Sequence, residues 1–240
     1  MAMTQSANSR LIGDRMEVTC GRLYATYERF WQQPELESLV PSFFVLMHQV
    51  VRASVPLMEF ARSLCTLDDA DDVRQTLARY LTVHIDEERH HDDWLLDDLA
   101  AAGFSTEDVL GAIPSRRVAS LVGAQYYWVR HFHPVALVGY MRLLEGNPPS
   151  DEHIDRLQRL SGLPADAFRT YRLHGSADPG HGRDLDALLD ALPLSQSQLE
   201  IIWLSASHTA ETLADCLDDI VRECQAPQGL RRKATKARSR

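Results

Sequence analysis

Residues 84 to 99 read HIDEERHHDDWLLDDL, and no other stretch restricts the possible folds of this chain as strongly. In an α-helix, which turns about 100° per residue, His84, Glu88 and His91 fall within roughly 60° of one another. Leu77, Leu81 and Leu95 lie along the same face, so the polar trio sits in the stripe that should be buried. A carboxylate buried alone costs several kcal/mol, so Glu88 requires a cation or a strong donor beside it. A metal ion is one such cation.

The pattern recurs. His174, Asp178 and His181 have the spacing H-x3-D-x2-H, matching the H-x3-E-x2-H of His84, Glu88 and His91. Glu145 stands between these sets on an otherwise apolar segment, following Val138 and Met141 and at the negative end of its helix. Two imidazole–carboxylate sets and one further acid describe ligands facing each other across a helical core, with a carboxylate to bridge two metals. The competing reading of Glu145 is a solvated side chain paired with Arg142.

The rest of the chain supports a helical core. Its 240 residues can bury one, and 45% of them are apolar. Amphipathic patterns dominate over Gly and Pro, which favours an all-α, single-domain bundle over residues 11–224. No apolar run of 18 or more residues and no signal-type N-terminus are evident, so a cytoplasmic protein without a membrane partner is expected. A net charge of −9 argues against a nucleic-acid-binding surface. The basic stretch from Arg231 to Arg240 is the exception, and residues 225–240 are expected to be a disordered tail. Cys20, Cys65, Cys216 and Cys224 match no zinc or redox spacing and read as buried or free thiols.

Taken in order, helices are expected over about Leu11 to Gln32, with an aromatic face of Leu23, Tyr24, Tyr27, Phe30 and Trp31, and over Leu39 to Leu64, kinked near Pro56. His48 in the second helix reads as a core residue rather than a ligand. The third is capped by Asp68 or Asp69 and runs unbroken to Ala102, closed by Gly103. Ser105, Ser115, Ser150 and Ser195 begin further helices. Through GSADPGHG the helical argument weakens, because Gly175, Pro179, Gly180 and Gly182 are poor helix formers. There Asp178 could instead cap a helix beginning at Pro179, leaving both histidines in a loop.

HIDEERHHDDWLLDDL, the GYMRLLEG that ends in Glu145, HGSADPGH, and RASVPLM with its proline together resemble the haem-oxygenase-like diiron oxidases. The likeness covers about residues 20 to 220. It implies a haem-oxygenase-like helical bundle holding two Fe(II) ions through His91 and Glu88, Glu145 as the bridge, and His174, Asp178 and His181. One common position of the family's first carboxylate matches His84, so the division between His84 and Glu88 stays open. The implied activity is O2-dependent oxidation of a small amine, amino acid or fatty acid. An amino-acid-derived substrate is favoured, with Arg52, Gln125 and Tyr127 holding the zwitterion and Leu95, Tyr127 and Met141 lining an apolar cavity. The expected partners are a small-molecule substrate and an external electron donor, with a homodimer as the assembly.

Three other readings share this pattern. A haem oxygenase would need one axial histidine and has no use for the doubled motif. A thiaminase-type hydrolase needs a nucleophilic cysteine near paired acids. A metal-storing bundle needs the inward carboxylates but no cavity.

Overall fold

The computed structural model describes residues 7–67, 70–146 and 148–226, without the side chains of 176–179. Among them all regular structure is helical. The helices are α1 (Asn8–Thr19), α2 (Gly21–Trp31), α3 (Leu36–Cys65), α4 (Asp72–Glu88), α5 (His91–Ala101), α6 (Thr106–Gly111), α7 (Arg116–His131), α8 (Leu137–Glu145), α9 (Asp151–Ser161), α10 (Arg169–Ala191) and α11 (Gln196–Gln225). Short 3-10 turns at Pro134–Ala136 and Ala165–Phe168 lead into α8 and α10.

Local chemistry sets most of the ends. Ser105, Ser115, Ser150 and Ser195 each accept a first-turn backbone N–H, and Ser195 with Gln198 forms a reciprocal capping box. Gly103 (φ 91°) closes α5, with the Gly103 and Phe104 N–H groups bonded to the carbonyls of Ala100 and Leu99. Asp71 caps α4, its Oδ1 taking the N–H groups of Val73 and Arg74. Asp68 and Asp69, expected in that role, lie outside the described residues, as does the tail beyond residue 226.

Two expected helices are broken. The first divides at Cys20 into α1 and α2. The third divides at Arg89–His90, where His90 takes a left-handed conformation (φ 75°), alone among the described non-glycine residues. Conversely, α3 runs on through Pro56, and α10 is helical through the whole of GSADPGHG, so its histidines are not loop residues. Gly175 earns its place there by packing. A Cβ at this position would lie 2.7 Å from the Pro149 carbonyl oxygen, so only glycine lets α10 pass the turn that follows α8.

The core is built around α3 and α11. The latter packs on α1, α2, α3, α7 and α8, and α3 packs on α4, α5, α7 and α9. Of the helices described, only α3 is long and apolar enough to cross a membrane, and half of its most apolar stretch is buried in this core. Val40, Phe43, Val50, Leu57 and Ala61 are almost wholly enclosed, each large side chain contributing about 1.5–3 kcal/mol. At the α8–α11 crossing, Gly139 brings the two backbones into direct contact. Arg117 joins α7 to α11 through Asp215 and Asp219, and Arg22 joins α2 to α11 through Asp215 and Asp218. The frame leaves α4, α5, α8 and α10 converging on one polar region.

Candidate metal centre

Both α4 and α8 end in this region, on Glu88 and Glu145 respectively. The C-terminal end of a helix carries partial negative charge, so two such ends bearing carboxylates create a strongly negative site. The break after Glu88 turns the chain and starts α5 at His91, while α10 passes alongside with His174 and His181.

Two ligand groups result. His84, Glu87 and His181 form one, and Glu88, His91 and His174 the other, each offering ligand atoms that all lie within 4.8 Å of one another. His84 Nε2 is 3.1 Å from Glu145 Oε1, so Glu145 belongs beside the first group. Glu88 spans both, its Oε2 lying 2.8 Å from His91 Nδ1 and its Oε1 3.3 Å from His181 Nδ1. The distance from Glu145 Oε2 to His181 Nδ1 is 3.9 Å. The contact between the groups thus runs through Glu88, whereas the sequence pointed to Glu145 as the bridge. Glu145 does not pair with Arg142, which is held by Asp186 at 2.8 Å.

His84, Glu88, His91, Glu145, His174 and His181 are therefore gathered in one place, and the side chain of Asp178 lies outside the described residues. Glu87, at the edge of the expected ligand face, is an additional candidate, 3.6 Å from His84 Nδ1 and 49% exposed. Its sequence signal was its place next to Glu88 in a region rich in histidine. Aromatic rings hold the imidazoles. Tyr80 stacks on His84 at 5.2 Å, and Trp94 lies 4.4 Å from His91.

Burial pushes the Glu145 carboxyl up, more than its hydrogen bond to His84 pulls it down. For Glu88 burial acts in the same direction, but the imidazoles of His91, His174 and His84 outweigh it and its carboxyl ends below the usual range. His84 is pushed down by burial, yet Glu145, Glu88 and Glu87 together raise it. The donor set suits a divalent metal. Glu88 Oε1 and Glu145 Oε2 are buried without a hydrogen bond although potential ligand atoms surround them. Buried polar atoms left in that condition cost about 1–3 kcal/mol each, and a coordinated cation would satisfy them together. Carboxylate and imidazole without thiolate favour Fe(II) or Mn(II) over structural zinc.

A cavity of about 450 Å³ opens onto Glu88, Glu145 and His174. The face of α2 that bears Tyr24, Tyr27 and Trp31 forms one wall, joined by Phe43, Phe44 and Tyr171. Leu95 and Met141 line it as expected. Arg52, Gln125 and Tyr127 are not among its lining residues. Gln125 is fully buried elsewhere, bonded to Ser205 and Thr209, and Tyr127 is 64% exposed beside His131. Both lie on α7, which packs against α3 and α11. Ser54, one helical turn before Met58, does reach the cavity and bonds the Tyr140 hydroxyl at 3.0 Å. No cysteine lines it, and burial pushes the thiols of Cys65 and Cys216 up to about 12 and about 11.

Over residues 44–214 the chain matches the model of a family described as iron-containing redox enzymes. No curated protein matches its sequence. Among solved structures, it is similar to a domain of unknown function with a heme oxygenase-like fold from Shewanella denitrificans. That protein is 16% identical, with a TM-score of 0.68 over 91% of this chain and 90% of that one. A TenA homolog from Pseudomonas syringae pv. tomato is 11% identical, with a TM-score of 0.67 over 89% and 92%. These likenesses establish the haem-oxygenase-like fold.

Proposed function

Because this chain belongs to the iron-containing redox enzymes, we propose that it is a non-haem diiron enzyme that uses O2 to oxidise a small amine with an apolar body. The observation that carries the reading is the pair of ligand groups, linked through Glu88 and facing an aromatic-lined cavity. Two bound Fe(II) ions would supply the electrons that activate O2. The side chains that would hold them are His84, Glu87, Glu145 and His181 on one side and Glu88, His91 and His174 on the other, with Asp178 as a further candidate on α10.

The cavity wall argues for the substrate class. Among the described residues neither Arg nor Lys lines it, so a substrate carboxylate finds no cationic side chain among them. His153, at the same wall, is pushed down by burial and by Arg156, which disfavours its charged form. The ionisable lining residues beyond the ligand groups include Glu28, one turn from Tyr24 and Trp31 on α2. An ammonium group beside electron-rich rings gains about 0.5–1 kcal/mol at an exposed site, and an acid adds Coulomb attraction. Phe43, Phe44, Met47 and Met58 would cover an apolar body and keep water from the reacting end. This argument replaces the zwitterion binding expected from Arg52, Gln125 and Tyr127.

Anaerobic Fe(II) titration followed by Mössbauer spectroscopy tests the assignment. Two equivalents are expected in the wild type, with binding lost in His91→Ala and Glu145→Ala. O2 consumption by the loaded protein should be stimulated by apolar primary amines. Uptake unaffected by either substitution would overturn the site, and loaded protein that leaves O2 untouched with every amine would reduce it to a metal-storing bundle.

A further inference from the structure

We propose that Asp98 is a positioning residue that fixes the register of α10 against α5 before any metal binds. The proposal rests on the metal reading only in taking His174 to be a ligand.

Asp98 lies seven residues beyond His91, and Thr170 lies four before His174, so each pair shares one face of its helix. Two cross-links follow between α5 and α10. The His91 and His174 rings stand 4.9 Å apart, and about two turns away Asp98 Oδ2 accepts the backbone N–H of Thr170 at 2.8 Å. That N–H is in the first turn of α10, where backbone donors have no partner within the helix, so the carboxylate acts as a cap supplied by another element.

The anchor is costly and therefore informative. Asp98 is 2% exposed, its Oδ1 makes no hydrogen bond, and Arg169, its cationic neighbour at 3.5 Å, is half-exposed. Burial pushes its carboxyl up, and the Thr170 N–H and Arg169 only partly restore it. An apolar residue between Leu95 and Leu99 would pack there at lower cost, so packing alone does not account for an acid. Register does. Sliding α10 by one residue moves it about 1.5 Å and turns it about 100°, which takes His174 and His181 off the ligand face together. With Gly175, Pro179, Gly180 and Gly182 in its middle, α10 has little intrinsic helical preference to resist such a slip. A link at its first turn that needs no metal sets the frame.

The test compares Asp98→Leu with Asp98→Asn, which keeps an acceptor oxygen. In metal-free protein, amide hydrogen exchange of residues 169–174 is expected to rise about 10-fold or more in Asp98→Leu and to stay near the wild type in Asp98→Asn. In anaerobic Co(II) titrations, Asp98→Leu should bind both equivalents more weakly, since His174 and His181 leave the ligand face together, and Asp98→Asn should bind them as the wild type does. Wild-type exchange and wild-type affinity for both equivalents in Asp98→Leu would overturn the proposal. Should Asp98→Leu fail to fold, Asp98→Asn decides, because protection and affinity within twofold of the wild type support the anchor and a loss equal to that of Asp98→Ala refutes it. Wild-type protein that binds no Co(II) would defeat the metal reading, while the exchange measurement would still decide the anchor.

Discussion

Gly139→Ala should damage stability and metal binding at once, by one displacement. A Cβ at residue 139 would lie 2.9 Å from the Ala206 amide nitrogen and 3.0 Å from the Ile202 carbonyl carbon, and closer still to the Ile202 carbonyl oxygen. Normal non-bonded separations are about 3.5–4.0 Å. Every one of these neighbours is backbone of α11, so no side chain can swing aside and α8 has to lift by the order of 1 Å. Overpacking of this kind costs about 1–3 kcal/mol, which in a chain of this size corresponds to roughly 2–12 °C in Tm. Glu145 lies six residues further along the same rigid helix, about 9 Å away. Its 3.1 Å link to His84 would then stretch past the ~3.5 Å limit of a useful hydrogen bond. The assay is thermal unfolding of metal-free protein alongside anaerobic Fe(II) titration. Gly123→Ala is the control, since residue 123 lies in α7 with open space around it and the substitution should stabilise by up to about 1 kcal/mol. A Gly139→Ala protein that melts with the wild type and binds two Fe(II) would refute the reasoning.

Three further outcomes are expected. His90→Gly should raise the free energy of unfolding measured with a chemical denaturant by about 1 kcal/mol, because the left-handed conformation at φ 75° is unfavourable for any residue with a Cβ, and His90→Val should lower it. His48 is wholly buried with neither ring nitrogen hydrogen-bonded, and burial, helped by Arg52 and opposed by Asp92 and Asp93, lowers its pKa. The unfolded chain therefore binds a proton at this residue that the folded one refuses, so stability falls as pH drops below about 6.5. Urea midpoints at several pH values should show this slope flattened in His48→Leu, and an unchanged slope would assign the effect to other groups. Glu28→Gln should weaken binding of an apolar primary amine about 3- to 10-fold by calorimetry while leaving Fe(II) stoichiometry at the wild-type value, and equal affinity would remove Glu28 from the amine site.

What the sequence revealed, it revealed through local chemistry or through periodicity. The serine caps at 105, 115, 150 and 195 and the glycine at 103 mark helix ends because each satisfies backbone groups within a few residues. The two H-x3-[DE]-x2-H motifs were legible because burying charge needs compensation wherever it occurs. The break at His90 was not legible, since no glycine or proline marks it, and at Cys20 the only mark was Gly21, which the aromatic periodicity of the following turns outweighed. Nor could local preference show that α10 stays helical across Gly175 and Pro179, where packing on α5, α8 and α9 overrides propensity. Gln125 and Tyr127 were misplaced because polar residues on an amphipathic helix do not say which neighbour that helix will face. The aromatic stripe of α2 has the same ambiguity, though Glu28 within it was a usable hint that the stripe borders a space rather than a solid core. Asp98 was hidden among the acidic residues around it, and only the approach of Thr170 distinguishes it.

The left-handed residue between α4 and α5 has a mechanical meaning. In one straight rod His84, Glu88 and His91 would keep fixed separations whatever was bound to them. The break at His90 puts His84 and Glu87 on one lever and His91 on another, with Glu88 at the pivot. The spacing across the centre then becomes a coordinate that can adjust without unwinding either arm, and stiffening that joint would be the direct way to freeze it.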